Sequence, residues 1–218
     1  MEILIVGHTA HLEEARQKFG DAHGYKLAES QMEPGRPMEK CDVVFDFTIG
    51  NDPFQIRRYQ DRASLIVFLN ASTISLAQLS TAKIQNTLFG FCGMPGFLNR
   101  EILEVSMSNE NDLEKLNEVC NELKTNYRVV ADRVGLVTPR VICMIINEAY
   151  YTVQEGTATR EDIDKAMKLG TNYPFGPFEW AQRIGVKNVC GLLQAVYSAT
   201  QDQRYRINSM LIEESNAV

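Results

Sequence analysis

The sequence predicts an α/β domain with a mainly parallel sheet, followed by an all-α domain. In the first part of the chain, short apolar runs alternate with helical patterns, an order typical of βαβ units. After Pro139 the strand pattern stops, and apolar residues recur at helical spacing instead. This change of pattern predicts a boundary near Arg133, with the two domains at residues 1–132 and 133–218.

Seven apolar runs of the first domain are predicted strands, because each is short, rich in branched or aromatic residues and bounded by polar or turn residues. They lie at residues 3–6, 25–28, 42–47, 65–69, 88–91, 103–106 and 128–130. Residues 52–61 and 109–124 between them have helical patterns. Residues 30–40 contain two prolines and a glycine, and we expect a loop there.

The second domain is predicted to be helical throughout. Apolar residues from 141 to 153 recur at helical spacing, and further helices are expected at 178–184, 187–200 and 209–214. Thr159 followed by Asp162 has the pattern of an N-cap and an acid in the third helical position, which predicts a helix over 162–169. Gly170 then stands where a C-cap glycine is expected.

Composition and charge narrow the classes of partner. Of the 218 residues, 44% are hydrophobic and 23% charged, as in ordinary globular proteins, and no apolar run approaches the roughly 20 residues that cross a bilayer. A net charge of −6 without a basic cluster argues against nucleic acid. The five cysteines are scattered and lack the spacing of zinc or disulfide sites, which indicates a reducing, cytoplasmic setting. The first residues lack the basic segment of a signal peptide. We therefore expect a small-molecule partner.

The stretch "ILIVGHTAHLEEA" runs from a strand into a helix with one glycine at the turn. Dinucleotide-binding turns carry G-x-G-x-x-G, in which the second glycine admits the pyrophosphate and the third lets helix and strand pack closely. Here Gly7 is followed by Thr9 and Leu12 at those positions, which weakens the pattern. Glu29 is where an acid would meet the adenosine ribose, although a surface charge at a strand end explains it equally well.

The most specific stretch is "EDIDKAMKLGTNYPFGPFEWAQRIG", residues 161–185. It closely resembles the C-terminal domain of the 3-hydroxyacyl-CoA dehydrogenases, which has the 6-phosphogluconate dehydrogenase C-terminal-like fold. Gln182 stands where that family usually has aspartate. "DRVGLVTPRVICMIINEAY" resembles the segment that joins the family's two domains. The matching positions are Ala166, Met167, Gly170, Pro174, Gly176, Pro177 and Gly185.

The resemblance implies a Rossmann-like first domain of the NAD-binding type, NAD as cofactor and an acyl-CoA-type substrate. It also implies a homodimer formed through the helical domain and a place in fatty acid metabolism. The candidate cofactor-binding residues are then Gly7, Thr9 and Glu29. A plainer interpretation of "YPFGPF" is a rigid turn, since Pro174 and Pro177 fix two φ angles and Gly176 permits close approach.

The same resemblance identifies the candidate catalytic positions. "LNASTI" places Ser72 at the family's serine, and "FGFCGMPGFLNREILEVS" places Cys92 at the histidine and Glu104 at the glutamate. "GLVTPR" places Pro139 where the family has asparagine. A cysteine has an ordinary pKa of about 8.5 and lacks the second ring nitrogen of histidine, so acid–base chemistry is weakened. Ser72 can also be an ordinary polar turn residue, and Cys92 a buried structural thiol.

Two functions follow from these positions. The first is NAD-dependent oxidation of a 3-hydroxyacyl-CoA to a 3-ketoacyl-CoA, with weak or altered activity. The second is a non-catalytic dimeric homologue, a pseudoenzyme that binds acyl-CoA or a nucleotide. His8 and His11 are three residues apart at a helix start and could bind a metal, but no third ligand is evident, and no metal site is predicted.

Overall fold

The computed structural model describes residues 1–29, 40–60, 64–79, 84 and 86–217. Of the predicted loop at residues 30–40, only Lys40 is among them. Contacts between Cα atoms divide the chain into two compact units, Met1–Leu136 and Val137–Val218.

The first unit contains one sheet, to which the described residues contribute seven strands in the order β2-β1-β3-β4-β5-β6-β7. All neighbouring pairs are parallel except β5 and β6, which are antiparallel. Every predicted strand is present, with bounds that differ by at most two residues, and the predicted fold class is confirmed. The strands are β1 (Glu2–Val6), β2 (Gly24–Ala28), β3 (Val43–Asp46), β4 (Ile66–Asn70), β5 (Thr87–Phe91), β6 (Ile102–Met107) and β7 (Asn126–Val130).

Helices α1 (Thr9–Phe19), α2 (Leu76–Leu79) and α3 (Leu113–Glu122) belong to the same unit. The helix predicted over 52–61 is a 3₁₀ helix, Pro53–Tyr59, whose start is capped by the Asp52 carboxylate accepting from Phe54 N at 3.2 Å. The helix predicted over 109–124 begins with a 3₁₀ turn before α3.

Both faces of the sheet are covered, which explains why the strands have continuous apolar sequences. Phe19 of α1 and Leu116 of α3 pack on one face, against alternate residues of the strands such as Ile5 and Phe45. Ile56 and Tyr59 of the 3₁₀ helix pack on the other face. The paired central strands thus have buried side chains in both directions.

The position of β1 gives the sheet its ligand-binding crevice. β1 lies between β2 and β3, so successive connections leave it on opposite sides. In doubly wound sheets ligands bind at such a switch point, outside the carboxyl ends of the strands. The turn after β1, which contains Gly7, lies at this place.

The second unit is entirely helical among its described residues. The predicted cap is confirmed, because Thr159 Oγ1 accepts from Asp162 N at 3.2 Å. The predicted C-cap at Gly170 is wrong: the helix continues through Thr171 and ends at Asn172, whose φ of 57° provides the left-handed conformation. The helices are α4 (Thr138–Gln154), α5 (Arg160–Thr171), α6 (Pro177–Ile184), α7 (Val186–Thr200) and α8 (Ser209–Ala217).

The turn between α5 and α6 contains the most specific stretch of the sequence. The Asp164 carboxylate of α5 accepts hydrogen bonds from Phe178 N at 2.8 Å and Glu179 N at 3.2 Å, at the start of α6. Glu179 in turn accepts from Gly176 N at 3.0 Å. A Cβ at Gly176 would collide with Asp164, so the glycine is required by this close packing.

Within the described ranges, no helix is long and apolar enough to cross a membrane.

Candidate active site

Ser72 and Cys92 come together because they follow two neighbouring parallel strands. β4 and β5 pair in register, with Asn70 opposite Phe91, and both chains continue past their carboxyl ends into loops. Ser72 Oγ lies 3.4 Å from Cys92 Sγ, and both residues are buried, with 2% and 4% of their surface exposed. The contact forms at the edge of the sheet where ligands of this fold bind.

Glu104 reaches the same place from the antiparallel strand β6. Gly90 of β5 lies opposite Ser106 of β6, and the same register continued by two residues would bring Glu104 opposite Cys92, just past the end of β5. Glu104 is half-buried, and its charge raises the pKa of the Cys92 thiol in addition to the larger effect of burial. Ser72, Cys92 and Glu104, which are far apart in sequence, therefore form one cluster.

Asn70 holds this cluster in place. Its Oδ1 accepts hydrogen bonds from Ser72 N at 3.1 Å, Ser72 Oγ at 2.6 Å and Gly93 N at 3.0 Å, and its Nδ2 donates to the Phe47 carbonyl at 3.1 Å. The amide thus joins the ends of three strands. Because the Ser72 hydroxyl proton is directed to Asn70, the Cys92 thiol is the donor in its contact with Ser72 Oγ.

The Cys92 thiol is protonated at neutral pH. Burial is the main cause and Glu104 adds to it. Together they raise the pKa of the thiol to about 12, although the neighbouring Ser72 hydroxyl, Met94 N and the charge of Arg100 act in the opposite direction. A base must be deprotonated at the working pH. The thiol can therefore donate a proton here but cannot accept one from a hydroxyl group.

Arg100 belongs to the cluster and was missed by the sequence reasoning. Its charge acts on both Cys92 and Glu104, and its guanidinium lies 4.5 Å from the Phe97 ring. Burial lowers its pKa, and the two acidic neighbours oppose that effect. Its place four residues before Glu104, at the entrance to β6, was the available signal.

Pro139 lies in the first turn of α4, in the second unit, where proline is well tolerated but supplies no side-chain amide.

The three predicted cofactor residues lie around the switch point of the sheet. Gly7 is buried in the turn after β1 and donates its N–H to the Ala28 carbonyl at 2.9 Å, next to Glu29 at the end of β2. Glu29 and Thr9 are exposed, and Thr9 is the first residue of α1. Leu12, at the third glycine position of the motif, packs against the core of the sheet.

The space over Gly7 is filled by a side chain of the protein. A Cβ at Gly7 would collide with His11 Nδ1, so the imidazole lies directly against the glycine. His11 Nδ1 accepts a hydrogen bond from His8 N at 3.1 Å, and the ring stacks on Phe47 with 4.2 Å between centroids. A pyrophosphate does not fit over Gly7 while the ring is there.

Nowhere in the described ranges do three or more His, Cys, Asp or Glu side chains gather as metal ligands would.

Comparison with known proteins gives the strongest match in the second unit. Residues 135–217 match the family model of the 3-hydroxyacyl-CoA dehydrogenase C-terminal domain. A 3-hydroxyadipyl-CoA dehydrogenase of Escherichia coli is 42% identical over 82 residues, which cover 38% of this chain and 17% of that protein. A 3-hydroxybutyryl-CoA dehydrogenase of Bradyrhizobium diazoefficiens is 28% identical over 182 residues, covering 79% of this chain and 62% of that protein.

The likeness in fold extends over nearly the whole chain. The crystal structure of (S)-3-hydroxybutyryl-CoA dehydrogenase PaaH1 from Ralstonia eutropha aligns with a TM-score of 0.75 and 19% identity, covering 99% of this chain and 93% of that one. Against the two curated relatives, however, the chain spans less than two thirds of their length.

Proposed function

We propose that the chain is a member of the 3-hydroxyacyl-CoA dehydrogenase family and that it interconverts a 3-hydroxyacyl-CoA and a 3-ketoacyl-CoA at a low rate. The observation that carries the proposal is the convergence of Ser72, Cys92 and Glu104 at the carboxyl ends of neighbouring strands. NAD is the cofactor proposed for the reaction, as in the family. Because a pyrophosphate does not fit beside His11, the residues that would act in the reaction are those on the substrate side.

On that side, Ser72 and Cys92 would hold the substrate oxygen and manage its proton. Ser72 Oγ lies next to the thiol, so with its O–H turned from Asn70 to the substrate it can give that proton to the oxygen at C3 and take the proton of Cys92 Sγ in return. In the reductive direction the developing alkoxide takes a proton, which the protonated thiol can supply. In the oxidative direction the thiol must first lose its proton, which its raised pKa makes unfavourable. The proposed activity is therefore better suited to reduction.

The direct test measures NADH consumption with acetoacetyl-CoA at high protein concentration. We expect slow turnover that falls at least about tenfold in Ser72→Ala and in Cys92→Ala, while Ser108→Ala, an exposed serine outside the cluster, retains it. Circular dichroism shows whether each variant is folded. A folded chain without turnover would overturn the proposal, and calorimetric binding of acetoacetyl-CoA without turnover would identify a non-catalytic homologue instead.

We also propose that the chain forms a homodimer through its helical unit. In support, Val137 and Val141, one turn apart at the start of α4, are 50% and 51% exposed, and Leu169 of α5 is 77% exposed. Contiguous exposed apolar patches are typical of interaction surfaces, and we propose that these residues belong to one. Light scattering would show a dimer whose mass halves in Val141→Glu, and a wild-type monomer at all concentrations would refute it.

A further inference from the structure

His11 occupies the position where a phosphate group binds in dinucleotide-binding folds. At the N-terminus of a helix that follows the first strand, unpaired backbone N–H groups and the helix dipole attract an anion. In this chain that helix is α1, and the place in front of it lies at the switch point beside Gly7. The imidazole of His11, from the first turn of α1, lies back over this place.

Three contacts hold the ring there, in addition to a wider stack on the His8 ring with 5.6 Å between centroids. The first is the hydrogen bond from His8 N to His11 Nδ1 at 3.1 Å, which uses the N–H that precedes the helix. The second is the stacking on Phe47, with 4.2 Å between centroids and 6° between the ring planes. The third is the close approach to Gly7, where a larger residue would collide with the ring. The absence of a side chain at position 7 therefore makes room for His11.

The ring is neutral in this position. Nδ1 accepts a hydrogen bond, so the single ring proton is on Nε2. Burial, together with the neighbouring His8, lowers the pKa of His11 to about 4. A neutral ring offers an incoming phosphate no compensating charge for the N–H that it has taken.

We propose that His11 excludes the pyrophosphate of NAD, and that the dinucleotide binds only when the ring leaves Gly7 and Phe47. The inference rests on the proposed function in taking NAD as the cofactor. It adds that a single side chain of the protein sets the affinity for it. Thr9 and Leu12 also depart from the glycine pattern, but Thr9 is exposed and Leu12 packs into the core, so neither covers the turn.

The experiment is an NADH titration of the full chain, followed by the fluorescence of the bound nicotinamide. His11→Ala removes the ring, and we expect NADH affinity to rise about tenfold or more, since the ligand no longer has to break the hydrogen bond to His8 N and the ring stack on Phe47. His8→Ala is the matched control, because it removes only the wider stack of the two histidine rings and keeps both the backbone N–H and the contact with Phe47, so its affinity should stay close to that of the wild type. His11→Phe keeps an aromatic ring over Phe47 and should bind NADH weakly.

An increase in His8→Ala equal to that in His11→Ala, or no increase in His11→Ala, would overturn the proposal. If His11→Ala does not fold, the wild type decides the question, because NMR signals of the His11 ring must shift when NADH saturates the protein. Bound NADH with unchanged ring signals would refute displacement.

The titration separates this inference from the proposed function. Tight NADH binding by His11→Ala without reduction of acetoacetyl-CoA supports the role of His11 and counts against the dehydrogenase. Turnover by the wild type, with the same NADH affinity in the wild type and His11→Ala, supports the dehydrogenase and counts against the role of His11.

Discussion

Gly176→Ala tests whether the family's signature turn has a structural role in this chain. The added methyl would collide with the Asp164 side chain and displace it. Asp164 would then lose its hydrogen bonds to Phe178 N, at 2.8 Å, and Glu179 N, at 3.2 Å. Each is a hydrogen bond to a charged group at a helix start, so we expect a loss of about 3 kcal/mol in the free energy of unfolding of the second unit.

The assay uses the single tryptophan of the chain, Trp180, which lies in α6 next to this turn. Its fluorescence during urea titration follows the second unit without a contribution from the first. Gly191→Ala, in α7, is the matched control: no atom lies within 4 Å of the added Cβ. It should stabilise by about 0.5–1 kcal/mol, as expected for alanine in place of a helical glycine.

A double-mutant cycle provides the decisive result. Asp164→Gly, which removes both the carboxylate and the Cβ that the added methyl would also meet, should destabilise by at least as much as Gly176→Ala, and in the Asp164→Gly background the second change should cost less than about 1 kcal/mol. If the two losses simply add, Gly176 does not act through Asp164 and the packing argument is wrong.

Three further predictions concern the first unit. The oxidation rate should rise about tenfold per pH unit from about pH 7 to pH 9 while the reduction rate stays constant, because the Cys92 pKa of about 12 leaves the thiol protonated over this range. An inflection of the oxidation rate near pH 6.5 would instead indicate a histidine base. Cys92→His alone should raise NADH-dependent turnover less than about tenfold, because the position is buried and His11 still covers Gly7, and a gain of a hundredfold would contradict this. The free energy of unfolding, measured by circular dichroism, should fall as the pH drops from 6.5 toward 4, because His11 takes up a proton at its ordinary pKa of 6.5 in the unfolded chain but only near 4 in the folded chain. The variant His11→Phe should lose part of this pH dependence.

The strands could be predicted from sequence because strands that are buried on both faces consist of continuous apolar residues. Phe45 of β3, for example, packs toward α1, and its neighbour Val44 packs toward the 3₁₀ helix, so no polar residue interrupts the run. The end of α5 was harder to predict. Gly170 and Asn172 are both able to end a helix, and only the backbone conformation identifies Asn172 as the residue that does.

The cluster around Cys92 was predictable only in part. The resemblance supplied Ser72, Cys92 and Glu104, because each lies in a recognisable local stretch. Asn70 and Arg100 act through tertiary contacts, the amide with Phe47 and Gly93 and the guanidinium with two acidic groups, and such contacts leave no periodic pattern. The position of the His11 ring depends on Phe47, which is distant in sequence, and so it also required the structure.

Phe47 connects the two altered parts of the first unit. One face of its ring stacks on His11, which covers the cofactor turn, while its carbonyl accepts from Asn70, which fixes Ser72 beside Cys92. The ring also meets Phe91, the residue before Cys92, edge to face at 5.1 Å between centroids. A shift of Phe47 on release of His11 would therefore act on both Asn70 and the strand that carries Cys92. Cys92 and the ring over Gly7 are thus connected through the contacts of one residue, Phe47.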